Sequence, residues 1–229
     1  MADPRILPIA GHASRELDNL FWPADQPIGV LAVLLPGLNY SMDMPLMFFT
    51  RRLLLWRGVD VLNLNPQARS AAFQNASESD QMSWLQADVH AGLKAGLAQS
   101  NYHQLILVGK SIGSLAIAVG ADYAQALLPT ALVWLTPLMR YEVVLQAALN
   151  AAGPQVHLCG GADSTYKPDQ LQQILAAKQD ARAYIAEGAN HILEVPGDDQ
   201  ATFDGFSGAM LFLGKFLDTL LAQSKTVEP

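Results

Sequence analysis

The segment Leu105–Ile117, LILVGKSIGSLAI, contains a short run that fits either of two chemistries. Gly109-Lys110-Ser111 ends like a phosphate-binding loop, while Gly109-Lys110-Ser111-Ile112-Gly113 fits the G-x-S-x-G frame around a nucleophilic serine. A phosphate loop needs a further glycine upstream of the Gly-Lys pair, so that backbone N–H groups can wrap round an anion. Gln104 stands there, followed by Leu105, Ile106, Leu107 and Val108, an apolar run suited to a strand buried on both faces. The serine frame asks for a strand, a strained tight turn and then a helix. Gly113, Ser114, Ala116, Ala118 and Gly120 are small enough for that helix to lie close to a sheet.

A serine hydroxyl is a weak nucleophile at neutral pH, so the frame has chemical meaning only with an imidazole to take its proton and a carboxylate to hold that imidazole. In parallel α/β sheets such groups collect at the carboxyl ends of strands. Of the five histidines, His12 precedes the regular strand–helix alternation, His90 falls inside a helix, His103 precedes its strand and His157 falls within one. His191, in GANHILEVPGD, follows a strand and enters a loop before a helix. Asp163, in GGAD, follows the strand at 155–160, though an Asp after paired glycines is also ordinary turn chemistry. The order Ser111, Asp163, His191, each just past its own strand, predicts a nucleophile–acid–base set. Glu194, Asp198 and Asp199 are alternative acids, close in sequence to His191.

These positions depend on elements that the hydropathy pattern also predicts. Strand candidates recur at 30–35, 59–64, 104–109, 131–136, 155–160 and 181–187, separated by helical segments. The clearest helix, near 80–98, carries Met82, Leu85, Val89, Leu93 and Leu97 at three- and four-residue steps, and a last helix near 203–222 carries Phe206, Met210, Leu213, Leu217 and Leu220. Alternating strands and helices imply an α/β domain with a mostly parallel central sheet covered on both faces.

At 229 residues, with no repeat or Pro/Gly-rich linker, the chain reads as a single domain over 1–229. It is 51% apolar and 15% charged, yet lacks an unbroken uncharged apolar run of about 18 residues, so no membrane span is expected. A net charge of −7, with Arg51-Arg52 as its basic doublet, argues against a nucleic-acid partner. The single cysteine, Cys159, excludes an internal disulfide and reads as a buried strand residue. MADPRILPIA lacks the basic and apolar segments of a secretory signal, which makes the cytoplasm the expected location.

With Gly109–Gly113, Asp163 and His191 in this order, the chain resembles a small member of the α/β-hydrolase fold superfamily from about residue 29 onward. LLPGLNYSMDMP at 34–45 is similar to the turn after that fold's third strand, with Pro36 where many relatives have His. The resemblance implies an oxyanion hole built from the backbone N–H groups of Leu38, with Asn39 as a further candidate, and of Ile112. Such donors stabilise the charge that develops on a carbonyl oxygen in the transition state. Lys110 occupies a variable place in the frame. It reads as an ordinary side chain pointing away from the reacting face, with tuning of charge near the serine as the alternative.

Relatives often carry a large cap, whereas here 138–153 leaves room for a minimal lid of one helix. Leu138, Met139, Tyr141 and Val144 on that side, and Tyr40, Met42, Met44 and Met47 on the other, are available to face the site or to pack the core. The expected function is a serine hydrolase of the carboxylesterase or thioesterase type acting on a small-molecule acyl substrate, with no metal or organic cofactor. The alternative is a non-catalytic binding or scaffold protein on the same fold.

Overall fold

The computed structural model describes residues 3–224, so the first two and last five residues of the span expected as one domain lie outside the described residues. Seven strands form one sheet: β1 (Asp18–Trp22), β2 (Val30–Leu35), β3 (Asp60–Asn65), β4 (Gln104–Lys110), β5 (Thr130–Leu135), β6 (Gln155–Gly160) and β7 (Ala181–Ala186). Their spatial order is β1-β3-β2-β4-β5-β6-β7, with β1 antiparallel to β3 and every other pair parallel. Every position of β2, β4, β5 and β6 is buried, which is why these strands read as unbroken apolar runs.

Side chains alternate between two cores along each strand. Leu31, Val33, Leu35, Leu105 and Leu107 face the layer built from α3 (Glu78–Leu97), α4 (Gly113–Leu127) and α5 (Glu142–Asn150). Val30, Ala32, Leu34, Ile106 and Val108 face α1 (Pro45–Leu55) and α7 (Asp199–Ser224). The short α2 (Ala71–Gln74) and α6 (Pro168–Ala177) complete the helices. Ser77 caps α3 by accepting from the Asp80 N–H at 3.1 Å and donating to its carboxylate at 2.7 Å. Among the described helices, α7 is long and apolar enough to cross a membrane by length and composition. Its Ala209, Leu213, Leu217 and Leu220 are buried in the core against the sheet.

Segment 138–153 contains α5, whose Val144, Leu145 and Ala148 lie in the core it shares with α4, so this helix is part of the layer covering the sheet. Leu138 joins the same core, and Met139 packs with Cys159 and Leu171. On the other side, Tyr40 and Met47 are buried in the α1/α7 core, Met42 is partly buried against it, and Met44 is exposed just before α1. Parallel register brings the strand ends to one edge: Leu35 lies opposite Gly109, Lys110 opposite Leu135, and Gly160 opposite Ala186. The loops leaving that edge carry Leu38, Ser111, Asp163 and His191.

Candidate active site

Ser111 occupies the single residue between the end of β4 and Ile112, which precedes α4, and it has φ +55°. A non-glycine residue in this left-handed region is strained by about 1–2 kcal/mol, and the surrounding contacts must hold it there. Its N–H donates to the Leu135 carbonyl at 3.1 Å, and its own carbonyl accepts from the Ser114 N–H at 2.8 Å and the Ser114 hydroxyl at 2.6 Å. Ser114 Oγ in turn accepts from the Leu138 N–H at 3.0 Å, joining the β4 and β5 ends. The glycines of the frame are steric requirements. A Cβ at Gly109 would lie 2.4 Å from the Gly113 carbonyl oxygen, and one at Gly113 would lie 2.2 Å from that of Leu35.

The turn directs the serine side chain at His191. Ser111 Oγ and His191 Nε2 are 2.8 Å apart, and His191 Nδ1 lies 2.7 Å from Asp163 Oδ2. An ionised carboxylate can only accept, so Nδ1 carries the proton, leaving Nε2 to accept from the serine hydroxyl. Asp163 is buried, with its side chain 2% exposed, whereas that of His191 is 32% exposed and open to the cleft. Burial pushes the Asp163 pKa up, but hydrogen bonds from His191 and from the Thr165 N–H, with the His191 charge, outweigh it and hold the value below the ordinary 3.8.

Thr165 is a participant that motif reading missed. Its N–H and hydroxyl both donate to Asp163 Oδ1, at 2.8 and 2.9 Å, leaving Oδ2 directed at the imidazole. The signal lies in Asp163-Ser164-Thr165, where an Asp side chain accepts from the backbone two residues on and forms an Asx turn. His191 is held by a comparable device. Asn190 Oδ1 accepts from the N–H groups of Ile192 at 2.9 Å and Glu194 at 3.1 Å, and Leu193 takes φ +63°.

The alternative acids stand elsewhere. Glu194, Asp198 and Asp199 are exposed, and Asp198 accepts from the Ala201 N–H at 2.9 Å near the start of α7. The other histidines are also apart from the serine: His12 stacks on Trp84, His90 packs against Tyr123, His157 lies buried beside Trp134, and His103 precedes β4. The Cys159 thiol is buried, and burial together with the Asp163 charge pushes its pKa up to about 12. Among the described residues no cluster of three or more His, Cys, Asp or Glu side chains could hold a metal ion.

Leu38 and Ile112, the expected backbone donors, line one recess beside the serine turn. Ala68, Leu85 and Ala116 supply apolar wall, Ser41, Asn65 and Arg69 supply polar groups, and the volume is about 70 Å³. Lys110 departs from expectation. It is 1% exposed, and its ammonium donates to the His191 carbonyl at 3.2 Å and lies 4.7 Å from the centre of the Tyr40 ring.

No protein-family model matches the chain, and no curated protein matches it. Solved structures do. An α/β serine hydrolase without a lid from Xanthomonas campestris superposes with a TM-score of 0.70 at 18% identity, covering 100% of this chain and 98% of its own. An esterase from Pyrococcus furiosus gives 0.71 at 16% identity, covering 95% and 92%. Est1E from Butyrivibrio proteoclasticus gives 0.67 at 11% identity, covering 92% and 98%. The chain has a small α/β-hydrolase fold.

Two outcomes follow from the geometry. Gly113→Ala is expected to lower stability by about 1–3 kcal/mol, because the methyl meets backbone rather than a movable side chain; urea unfolding measures it. Asp163 contributes stability in full above its ordinary pKa of 3.8 and loses it as pH falls through its lower folded value. Thermal melts of Asp163→Asn are therefore expected to fall below wild type at pH 6, with the gap narrowing once pH falls below 3.8 and through the lower folded value, where the carboxyl becomes neutral.

Proposed function

We propose that the protein is a serine hydrolase that cleaves a carboxylic ester or thioester through an acyl-enzyme intermediate. The observation that carries this reading is the hydrogen-bonded line from Ser111 Oγ through His191 to Asp163, with steps of 2.8 and 2.7 Å, on a serine held at φ +55°. In this mechanism Ser111 Oγ attacks the acyl carbonyl carbon while His191 Nε2 takes its proton. The carbonyl oxygen becomes an oxyanion held by the N–H groups of Leu38 and Ile112, and Asp163 stabilises the imidazolium. Collapse expels the alcohol or thiol, which leaves with the proton from His191. Water, deprotonated by the same imidazole, then attacks the acyl-serine and releases the acid.

Esterases and serine hydrolases among the structural neighbours support this class, and the Xanthomonas campestris protein, described as lacking a lid, matches this chain over nearly its whole length. The scaffold alternative has no observation of its own to set against the hydrogen-bonded line. The recess beside the serine suggests the acyl range. Its apolar wall of Ala68, Leu85 and Ala116 suits a short acyl chain.

Ser111→Ala is expected to lose on the order of 10⁴- to 10⁶-fold in turnover on acyl esters and thioesters while retaining its melting temperature. Across an ester series from acetate to palmitate, kcat/KM is expected to rise up to roughly 15-fold by butyrate, since each of the two added methylenes is worth up to about 0.8 kcal/mol when buried, and then to level off. A steady climb to palmitate, or a jump in rate when substrate forms an emulsion, would contradict the short, lidless site.

A further inference from the structure

Lys110 ends β4, next to Ser111, and is among the largest fully buried side chains in the protein. Burial disfavours an ammonium and pushes the Lys110 pKa down to about 8, against the opposing field of the Asp163 carboxylate. A lysine in such a place is retained only where its charge is used or compensated. Two loops meet on this side chain and a third acts on it through its charge. Its ammonium donates to the His191 carbonyl at 3.2 Å, from the loop after β7, and lies 4.7 Å from the Tyr40 ring centre, in the loop after β2. Asp163, whose charge acts on it, comes from the loop after β6. A Cβ at Gly37 would lie 2.9 Å from Lys110 Cδ, so the β2 loop closes directly over the lysine stem. Tyr40 is itself fixed, its hydroxyl accepting from the Leu46 N–H at 2.9 Å at the start of α1.

We propose that Lys110 is a positioning residue whose protonated ammonium clamps the His191 backbone to the Tyr40 ring, holding the imidazole over Ser111, so that loss of its proton loosens the site. This rests on the serine-hydrolase reading and adds an alkaline control to it. A neutral amine keeps a donor for the His191 carbonyl but loses both the charge assistance of that bond and the attraction to the ring. The titratable groups that face it are the His191 imidazole, on the loop whose carbonyl it bonds, Asp163 and Tyr40, and the last two titrate away from this transition. Asp163 ionises below 3.8, Tyr40 is raised above 10 by burial against the opposing Leu46 hydrogen bond, and Cys159 is pushed up to about 12. Glu194, whose field reaches Tyr40, is an exposed carboxylate.

The test is kcat and KM for a short acyl ester from pH 6.5 to 10, corrected for spontaneous hydrolysis, in wild type, Lys110→Met, Tyr40→Leu and Ser111→Ala. Wild type is expected to fall through a single step near pH 8, by about 10- to 100-fold in kcat with KM within about threefold. Lys110→Met is expected to start at that low level and to show no step. Tyr40→Leu, which removes the ring that favours the cation, is expected to move the step to lower pH; this and the wild-type profile decide the matter even if Lys110→Met does not fold. A wild-type profile flat from pH 7 to 10, or the same step in Lys110→Met, would overturn the proposal. With Ser111→Ala inactive throughout, that result would leave the hydrolase reading standing, whereas absence of wild-type turnover on any ester or thioester would overturn both.

Discussion

The site depends on one backbone constraint: Ser111 must sit at φ +55° in the single-residue step from β4 toward α4. Nothing in the serine favours that conformation. It is held because the Gly109 backbone packs against Gly113 and that of Gly113 against Leu35, and because the Ser111 N–H is bonded to Leu135 at the end of β5 and its carbonyl to Ser114 in α4. Relaxation toward ordinary helical or extended geometry would swing the hydroxyl away from His191. The strained residue is tolerable because the flanking strands are buried at every position and cannot readily shift. The burial that makes β2, β4 and β5 stable thus also fixes the direction of one hydroxyl.

The same register sets the chemistry around it. Parallel pairing from β2 through β7 brings the ends of β4, β6 and β7 to one edge, so residues 80 apart in sequence, Ser111 and His191, meet within a hydrogen bond. Local turns then refine what the sheet brings together. Thr165 takes up one oxygen of Asp163 and leaves the other for the imidazole, and Asn190 pins the backbone that follows His191. Lys110 ties the His191 loop to the Tyr40 loop from beneath.

Much of this was legible in the chain because burial on both faces leaves a strong mark. The runs at 30–35 and 155–160 coincide with β2 and β6, and the edges of the other interior strands differ by a residue or so. The frame around Ser111 and the chain order of Asp163 and His191 pointed to residues that the fold brings together. β1 was missed because DNLFW is a five-residue edge strand with only alternate positions buried, which resembles a loop with scattered apolar residues. Lys110 reads from its place in the frame as an ordinary side chain pointing away from the reacting face, whereas it is buried against the His191 loop. Strand alternation places it on the face of Ile106 and Val108, toward the α1/α7 core, and that parity was the available signal. The Met residues near the β2 loop and the α5 side chains were ambiguous in principle, since core and cleft walls draw on the same residue types.

The central claim is that His191 activates Ser111 for attack on an acyl centre, and the rate of covalent labelling by a fluorophosphonate measures this without knowledge of the natural substrate. Mass spectrometry of the wild-type protein is expected to place a single adduct on Ser111, formed at least about 100-fold faster than in His191→Ala at neutral pH. Labelling of another residue, or an unchanged rate at Ser111 in a folded His191→Ala protein, would contradict it.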